Sequence, residues 1–113
     1  HRDLKPNNIL VSLDAKVVKI TDFNVSKFCD NYKKTPKLKN RILMWTYTGT
    51  IAWTAPEIFE SAEYTEVVDV WSCGVILYTM LSGSPPFKSD YLEDLKELIK
   101  KEEYSFEPQN LWD

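Results

Sequence analysis

Apolar and polar positions divide the chain into two short β-branched runs, a long aperiodic stretch and a helical second half. Ile9-Leu10-Val11-Ser12 and Val17-Val18-Lys19-Ile20 flank the polar break Leu13-Asp14-Ala15-Lys16. Such runs joined by a tight turn predict an antiparallel hairpin. Residues 25–54 keep no period and are interrupted by lysines, turn formers and Pro36, which predicts a long loop. Helical spacing begins at Ala55-Pro56-Glu57-Ile58-Phe59-Glu60, where a proline near the start lacks no needed hydrogen bond. Val67, Val68, Val70, Trp71, Val75, Ile76, Leu77, Met80 and Leu81 cover nearly the whole circumference of the next helix, so it is expected to be buried all round. Gly83-Ser84-Pro85-Pro86 ends it. Tyr91, Leu92, Leu95, Leu98 and Ile99 then form one apolar stripe opposite Lys and Glu, the pattern of a surface helix. No repeat or low-complexity tract occurs.

Composition narrows the class. The 113 residues, 43% hydrophobic and 13% aromatic, suffice for one compact unit with a core. No run of about 18 apolar residues and no basic-then-apolar leader is present, so neither a membrane segment nor a signal peptide is visible. Cys29 and Cys73 are too few and too far apart for a disulfide framework or a zinc site. Two reduced thiols fit a cytoplasmic or nuclear protein. The chain starts in mid-motif without Met and ends at Leu111-Trp112-Asp113 with neither a capped helix nor a polar tail. It is therefore expected to be an internal fragment, with targeting information outside it.

The net charge of −3 conceals an asymmetry: residues 1–41 carry ten Lys and Arg against four Asp, whereas residues 42–113 carry four Lys against thirteen acids. Lys33, Lys34, Lys37, Lys39 and Arg41 surround Thr35-Pro36. This cluster reads first as a solvated loop and second as a docking site for acidic or phosphorylated partners.

The chemistry concentrates in His1-Arg2-Asp3-Leu4-Lys5-Pro6-Asn7-Asn8. Asp3 can accept a hydroxyl proton, Lys5 can reach a transferring phosphate, and Asn8 offers an amide oxygen to a hard cation such as Mg²⁺. The hairpin carries Asp22, in Thr21-Asp22-Phe23-Asn24, back towards Asn8, so both oxygen ligands can face one metal. Taken alone, Arg-Asp is ordinarily a surface salt bridge and Asp-Phe is common in turns. The ordered continuation through Ala55-Pro56-Glu57, Asp69-Val70-Trp71-Ser72-Cys73-Gly74 and Pro85-Pro86-Phe87 changes that. Together these motifs resemble the eukaryotic serine/threonine protein kinases, from the catalytic loop of the C-terminal lobe to helix G, over essentially the whole chain.

The resemblance implies an α+β, mainly α, kinase C-lobe fragment over residues 1–113, with a short β-hairpin, a long activation segment, a buried helix F and a surface helix G. It implies ATP and Mg²⁺ as cofactors, protein substrates with Ser or Thr acceptors, and an upstream activating kinase. No nucleic acid partner is expected. Asp3, Lys5, Asn8 and Thr50 are the implied catalytic residues, Thr50 bridging Asp3 and Lys5. Lys5, Asn8 and Asp22 are implied to bind the nucleotide, with Asn8 and Asp22 holding the metal. Lys5 is the feature that points to Ser/Thr rather than Tyr acceptors. Arg2 is implied to pair with a phosphorylated residue, Thr46 in the first place and Thr48 as its competitor, with Lys27 assisting. His1 and Phe23 resemble stacked core residues that set active geometry. Asp69 resembles the carboxylate that holds the catalytic loop through its backbone amides, and is also a stabilising acid at a helix N-terminus.

Glu57 resembles a residue paired with a distant Arg that lies beyond this sequence. Unpaired in the interior, it is expected to destabilise the fragment. Ile51 and Trp53 are implied to line the pocket for the residue after the phosphoacceptor, which favours an apolar side chain. Asn7 and Thr79 stand where basic-directed kinases carry Glu. The activation segment spans 36 residues, Asp22 to Glu57, with its excess at residues 31–40. Asn24 departs from the family's Gly, and Asn adopts positive φ at modest cost. Nothing matches the glycine-rich loop or the phosphate-binding Lys and its Glu partner, so the 113 residues alone are expected not to transfer phosphate. The alternative is a pseudokinase or truncated scaffold that binds partners without catalysis.

Overall fold

The computed structural model describes residues 1–26, 35–36, 51–60 and 63–106. The described part is mainly helical, with small antiparallel ladders. Strands β1 (Ile9–Val11) and β2 (Val18–Ile20) pair with Ile9 opposite Ile20 and Val11 opposite Val18. Strand β3 (Thr35–Pro36) pairs with β4 (Glu63–Tyr64), bringing the middle of the long aperiodic stretch alongside the approach to the main helix. The helices are α1 (Glu57–Glu60), α2 (Val67–Ser82) and α3 (Leu92–Lys101). Single 3₁₀ turns occupy Pro6–Asn8 and Ile51–Trp53.

The hairpin closes where the polar break predicts. Ser12 N–H donates to the Val17 carbonyl at 2.9 Å and Ala15 N–H to the Ser12 carbonyl at 2.8 Å. The Ser12 hydroxyl donates to Asp14 Oδ1 at 2.6 Å and accepts from Val17 N–H at 3.0 Å. That hydroxyl, with the Lys16 N–H, holds the Asp14 carboxyl below its ordinary value. Ala15 takes a left-handed φ of 56° to complete the turn. Leu10, Val11, Val18 and Ile20 are exposed among the described residues.

Two apolar clusters hold the helices. Ile51, Val75, Phe87, Leu95 and Ile99 form one, and Ala55, Tyr64 and Val68 the other. Trp71 packs against both and stacks on Phe87 with ring centroids 5.9 Å apart, which makes α2 the element common to the whole core. The 51–53 turn lies against α2 and α3 together.

Helix α2 corrects one expectation. It is buried along Val68, Ser72, Val75 and Ile76, while Val67, Val70, Leu77, Met80 and Leu81 are exposed. The described neighbours leave part of its apolar circumference uncovered. Gly83 ends α2 with φ 77° and its N–H on the Thr79 carbonyl, a left-handed cap that suits glycine. Pro85 and Pro86 then turn the chain towards α3.

Helix α3 matches most of its stripe: Leu95 and Ile99 are buried and Leu92 and Leu98 pack against the core, whereas Tyr91, just before the helix, is exposed. Lys96 to Glu93 and Lys100 to Glu97 bridge successive turns on the outer face. Glu102 caps the helix at φ 55°, with its N–H on the Ile99 carbonyl and the Glu103 N–H on the Leu98 carbonyl. A non-glycine residue there is strained by roughly 1–2 kcal/mol. Glu102→Gly is therefore expected to raise the thermal unfolding midpoint, through a gain of about 1 kcal/mol after its greater freedom when unfolded is deducted. A lowered midpoint would contradict the capping argument.

Glu57 corrects a second expectation. It sits in the first turn of α1 partly rather than fully buried, so the full cost of an interior carboxylate is not incurred there.

Candidate active site

The first eight residues fold into an irregular loop tied down at both ends. Arg2 takes a left-handed φ of 73°, and its N–H donates to Asp69 Oδ1 at 2.7 Å. The terminal ammonium of His1 pairs with Asp69 Oδ2 at 2.6 Å. One carboxylate from the first turn of α2 thus holds two consecutive backbone nitrogens.

The His1 ring makes the second tie. Its Nδ1 accepts the Asp3 N–H at 3.2 Å, so the ring proton resides on Nε2, which donates to the Thr21 carbonyl at 3.0 Å. The Ser26 hydroxyl donates to the His1 carbonyl at 3.1 Å. Arg2 Nε donates to the Val25 carbonyl at 2.6 Å, and Nη2 donates to the same oxygen. The loop is therefore sewn to residues 21–26 from three side chains.

Asp3, Lys5 and Asn8 converge. Lys5 Nζ lies 2.9 Å from Asp3 Oδ2. Asn8 Nδ2 donates to the Asp3 carbonyl at 2.9 Å and to Asp3 Oδ2 at 3.3 Å. Asn8 is buried and ends the Pro6–Asn8 turn directly before β1, and the proline of that turn needs no N–H there. With its amide nitrogen on Asp3, Asn8 has its Oδ1 oxygen as the end suited to a cation.

Thr21 N–H donates to the Asn8 carbonyl at 2.9 Å, extending the β1–β2 ladder by one rung and placing Asp22 immediately beyond it. Asp22 is exposed and adopts φ 64°. An amide oxygen and a carboxylate are hard donors that fit Mg²⁺, which usually retains several waters and substrate phosphate oxygens. Among the described residues no group of three or more His, Cys, Asp or Glu gathers as a metal centre. The fit accordingly rests on Asn8 and Asp22.

Three expectations need correction. The left-handed residue of the Thr21–Asn24 stretch is Asp22, and Asn24 is not among the positive-φ residues. The glycine argument therefore does not bear on Asn24 in this conformation. His1 and Phe23 do touch, but edge-on, with centroids 4.7 Å apart at 64°, and Phe23 is 61% exposed rather than a core residue. Ile51 is 2% exposed inside the cluster with Val75 and Phe87, so it lines no open pocket. An open cleft of about 400 Å³ is lined by Ala52, Trp53, Pro85, Lys88, Ser89 and Asp90, among others.

Thr46, Thr48, Thr50, Lys27, Cys29 and the side chains of the lysine cluster lie outside the described residues. Cys73 is a free, exposed thiol. No helix among the described residues is long and apolar enough to cross a membrane. Sequence reasoning missed the Val25 carbonyl as a partner of Arg2, which no side-chain pattern signals. It also missed Ser72, a polar residue within the buried stripe of α2.

The family model described as protein kinase domain matches residues 1–111. A probable myosin light chain kinase of Dictyostelium discoideum is 42% identical over 106 residues, covering 94% of this chain and 20% of that protein. Calcium-dependent protein kinase 4 of Plasmodium falciparum is 38% identical over 110 residues, covering 95% and 19% respectively. Aurora kinase of Eremothecium gossypii is 43% identical over 101 residues, covering 89% and 24%. This chain thus spans about a fifth to a quarter of the length of these relatives. The motifs, the convergence of Asp3, Lys5 and Asn8, and a match along nearly the entire sequence have one account: the chain belongs to the protein kinase domain family.

Proposed function

We propose that this chain is the metal-binding and peptide-binding part of a serine/threonine protein kinase, and that the natural protein carrying it transfers phosphate from ATP to Ser or Thr hydroxyls. The observation that supports this most is the placement of Lys5 and Asn8 on one carboxylate, that of Asp3. Asp3 accepts or orients the proton of the acceptor hydroxyl. Lys5, 2.9 Å from it, sits where a cation can meet a transferring phosphate. Such transfer depends mainly on positioning and charge stabilisation. Asn8 and Asp22 would hold Mg²⁺, which would supply neutralisation of charge on the ATP phosphates. The kinase resemblance gives Thr50 the part of bridging Asp3 and Lys5, and gives Arg2 that of receiving a phosphate placed on Thr46, or on Thr48, by an upstream kinase.

In this reading α2 is helix F, α3 is helix G, and residues 22–57 are the activation segment. The Trp53 cleft takes the residue after the acceptor. Residues 1–113 alone do not transfer phosphate, because the residues that clamp ATP lie in another lobe. That Asp3, Lys5, Asn8 and Asp22 all keep the kinase pattern counts against a pseudokinase or a truncated scaffold.

The test is transfer of labelled γ-phosphate by the natural protein to a mixed protein substrate, followed by phosphoamino acid analysis. Phosphoserine and phosphothreonine are expected, with incorporation abolished by chelation of divalent cations. Phosphotyrosine as the main product would contradict the role given to Lys5. Absence of transfer by a protein that binds its partners would favour the scaffold.

A further inference from the structure

We infer that Ser72 is a positioning residue for the acceptor peptide, acting through the Trp53 carbonyl. This rests on the kinase reading and adds to it a residue with no assigned part. Ser72 lies three residues after Asp69 on α2, so the two are neighbours on one face of the helix. Asp69 holds the Arg2 backbone, and with it the loop carrying Asp3. The Ser72 hydroxyl donates to the Trp53 carbonyl at 2.7 Å. One turn of one helix therefore fixes both the catalytic loop and the turn that borders the peptide cleft.

The contact is more than a helix serine satisfying itself. A serine within a helix commonly donates to the carbonyl four residues earlier, and here Val68 O stands at 3.1 Å. The hydroxyl has a single proton, and the Trp53 carbonyl is the nearer acceptor. Ser72 is 7% exposed, so water does not compete freely for that proton. Ser72, Trp53, Thr54, Val68 and Asp3 also border one void of about 10 Å³, the place where α2, the loop and the turn meet. The turn itself is closed by the Thr54 N–H on the Ile51 carbonyl at 2.9 Å. On its other side Trp53 borders the open cleft of about 400 Å³. A shift of the Trp53 carbonyl therefore moves the cleft wall relative to Asp3 and leaves the Asn8 and Asp22 end in place.

The natural full-length protein tests this with Ser72→Ala and Ser72→Thr. For Ser72→Ala, the KM for a peptide with Leu after the acceptor should rise roughly 3- to 10-fold, the worth of one buried hydrogen bond. The preference for that peptide over one with Gly there should fall. The KM for Mg·ATP and kcat should stay within about twofold, and Ser72→Thr, which keeps the hydroxyl, should restore the peptide KM. An active wild type whose peptide KM and preference are unmoved by Ser72→Ala overturns the inference and leaves the kinase reading intact. Equal losses in peptide KM, ATP KM and unfolding midpoint, unrescued by Thr, also overturn it by showing a purely structural role. A wild type that transfers no phosphate overturns the kinase reading and this inference with it.

Discussion

Asp3→Asn in the natural protein is expected to lower kcat for peptide phosphorylation by ~10²–10⁴-fold, the usual contribution of a positioned base. The substitution is nearly isosteric, and its carboxamide keeps an oxygen for Lys5, which lies 2.9 Å away in the parent structure. The bond from Asn8 Nδ2 to the residue 3 main-chain carbonyl, 2.9 Å, does not involve the side chain at all. The loop should therefore keep its shape while losing a group that can take a proton. Peptide and ATP binding should change little, so the loss falls on kcat and on kcat/KM alike. Steady-state kinetics with a Ser peptide decides it. A kcat within about tenfold of wild type would remove Asp3 from the role of proton acceptor.

The second large effect is expected from Asp69. Asp69→Ala removes the acceptor of the Arg2 N–H, a charge-assisted bond of 2.7 Å, and such bonds contribute about 1.5–3 kcal/mol. Arg2 stands at φ 73°, and strained backbone persists only where its surroundings over-determine it. Without Asp69 the residue has reason to relax, and Asp3 follows it along the chain. A displacement of about 1 Å at a reacting group costs on the order of 10²-fold in rate. Asp69→Ala should thus lower both the unfolding midpoint and kcat. Asp69→Asn, which retains one oxygen for Arg2, should fall between Ala and wild type in both measurements. Unchanged kcat in a destabilised Ala variant would show that the remaining ties, His1 to Thr21 and Arg2 to Val25, hold the loop by themselves.

The cleft is lined by Ala52 and Trp53 rather than by the buried Ile51, with Lys88 and Asp90 also in its lining. If it takes the residue after the acceptor, as proposed above, that side chain is expected to meet an aromatic ring and one charge of each sign.

Much was decided by local chemistry and was readable in the sequence alone. The hairpin follows from β-branched runs and a Ser12-Asp14 turn whose hydrogen bonds are all within a few residues. Helix α3 follows from its stripe, and the end of α2 from Gly83. The ordered motifs sufficed for the protein kinase family. Tertiary packing alone decided the rest. Which side of the uniformly apolar α2 is buried depends on where the 51–53 turn and α3 lie, which no periodicity encodes. Left-handed backbone fell on Asp22 rather than Asn24, in a stretch whose Thr21 N–H is bonded across the ladder to the Asn8 carbonyl. Ser72 gained its partner from a residue 19 positions away, and Arg2 gained a main-chain oxygen with no side-chain signature. Local propensity reads off the chain because its partners are neighbours in sequence, whereas these choices belong to groups that meet only once the chain has folded.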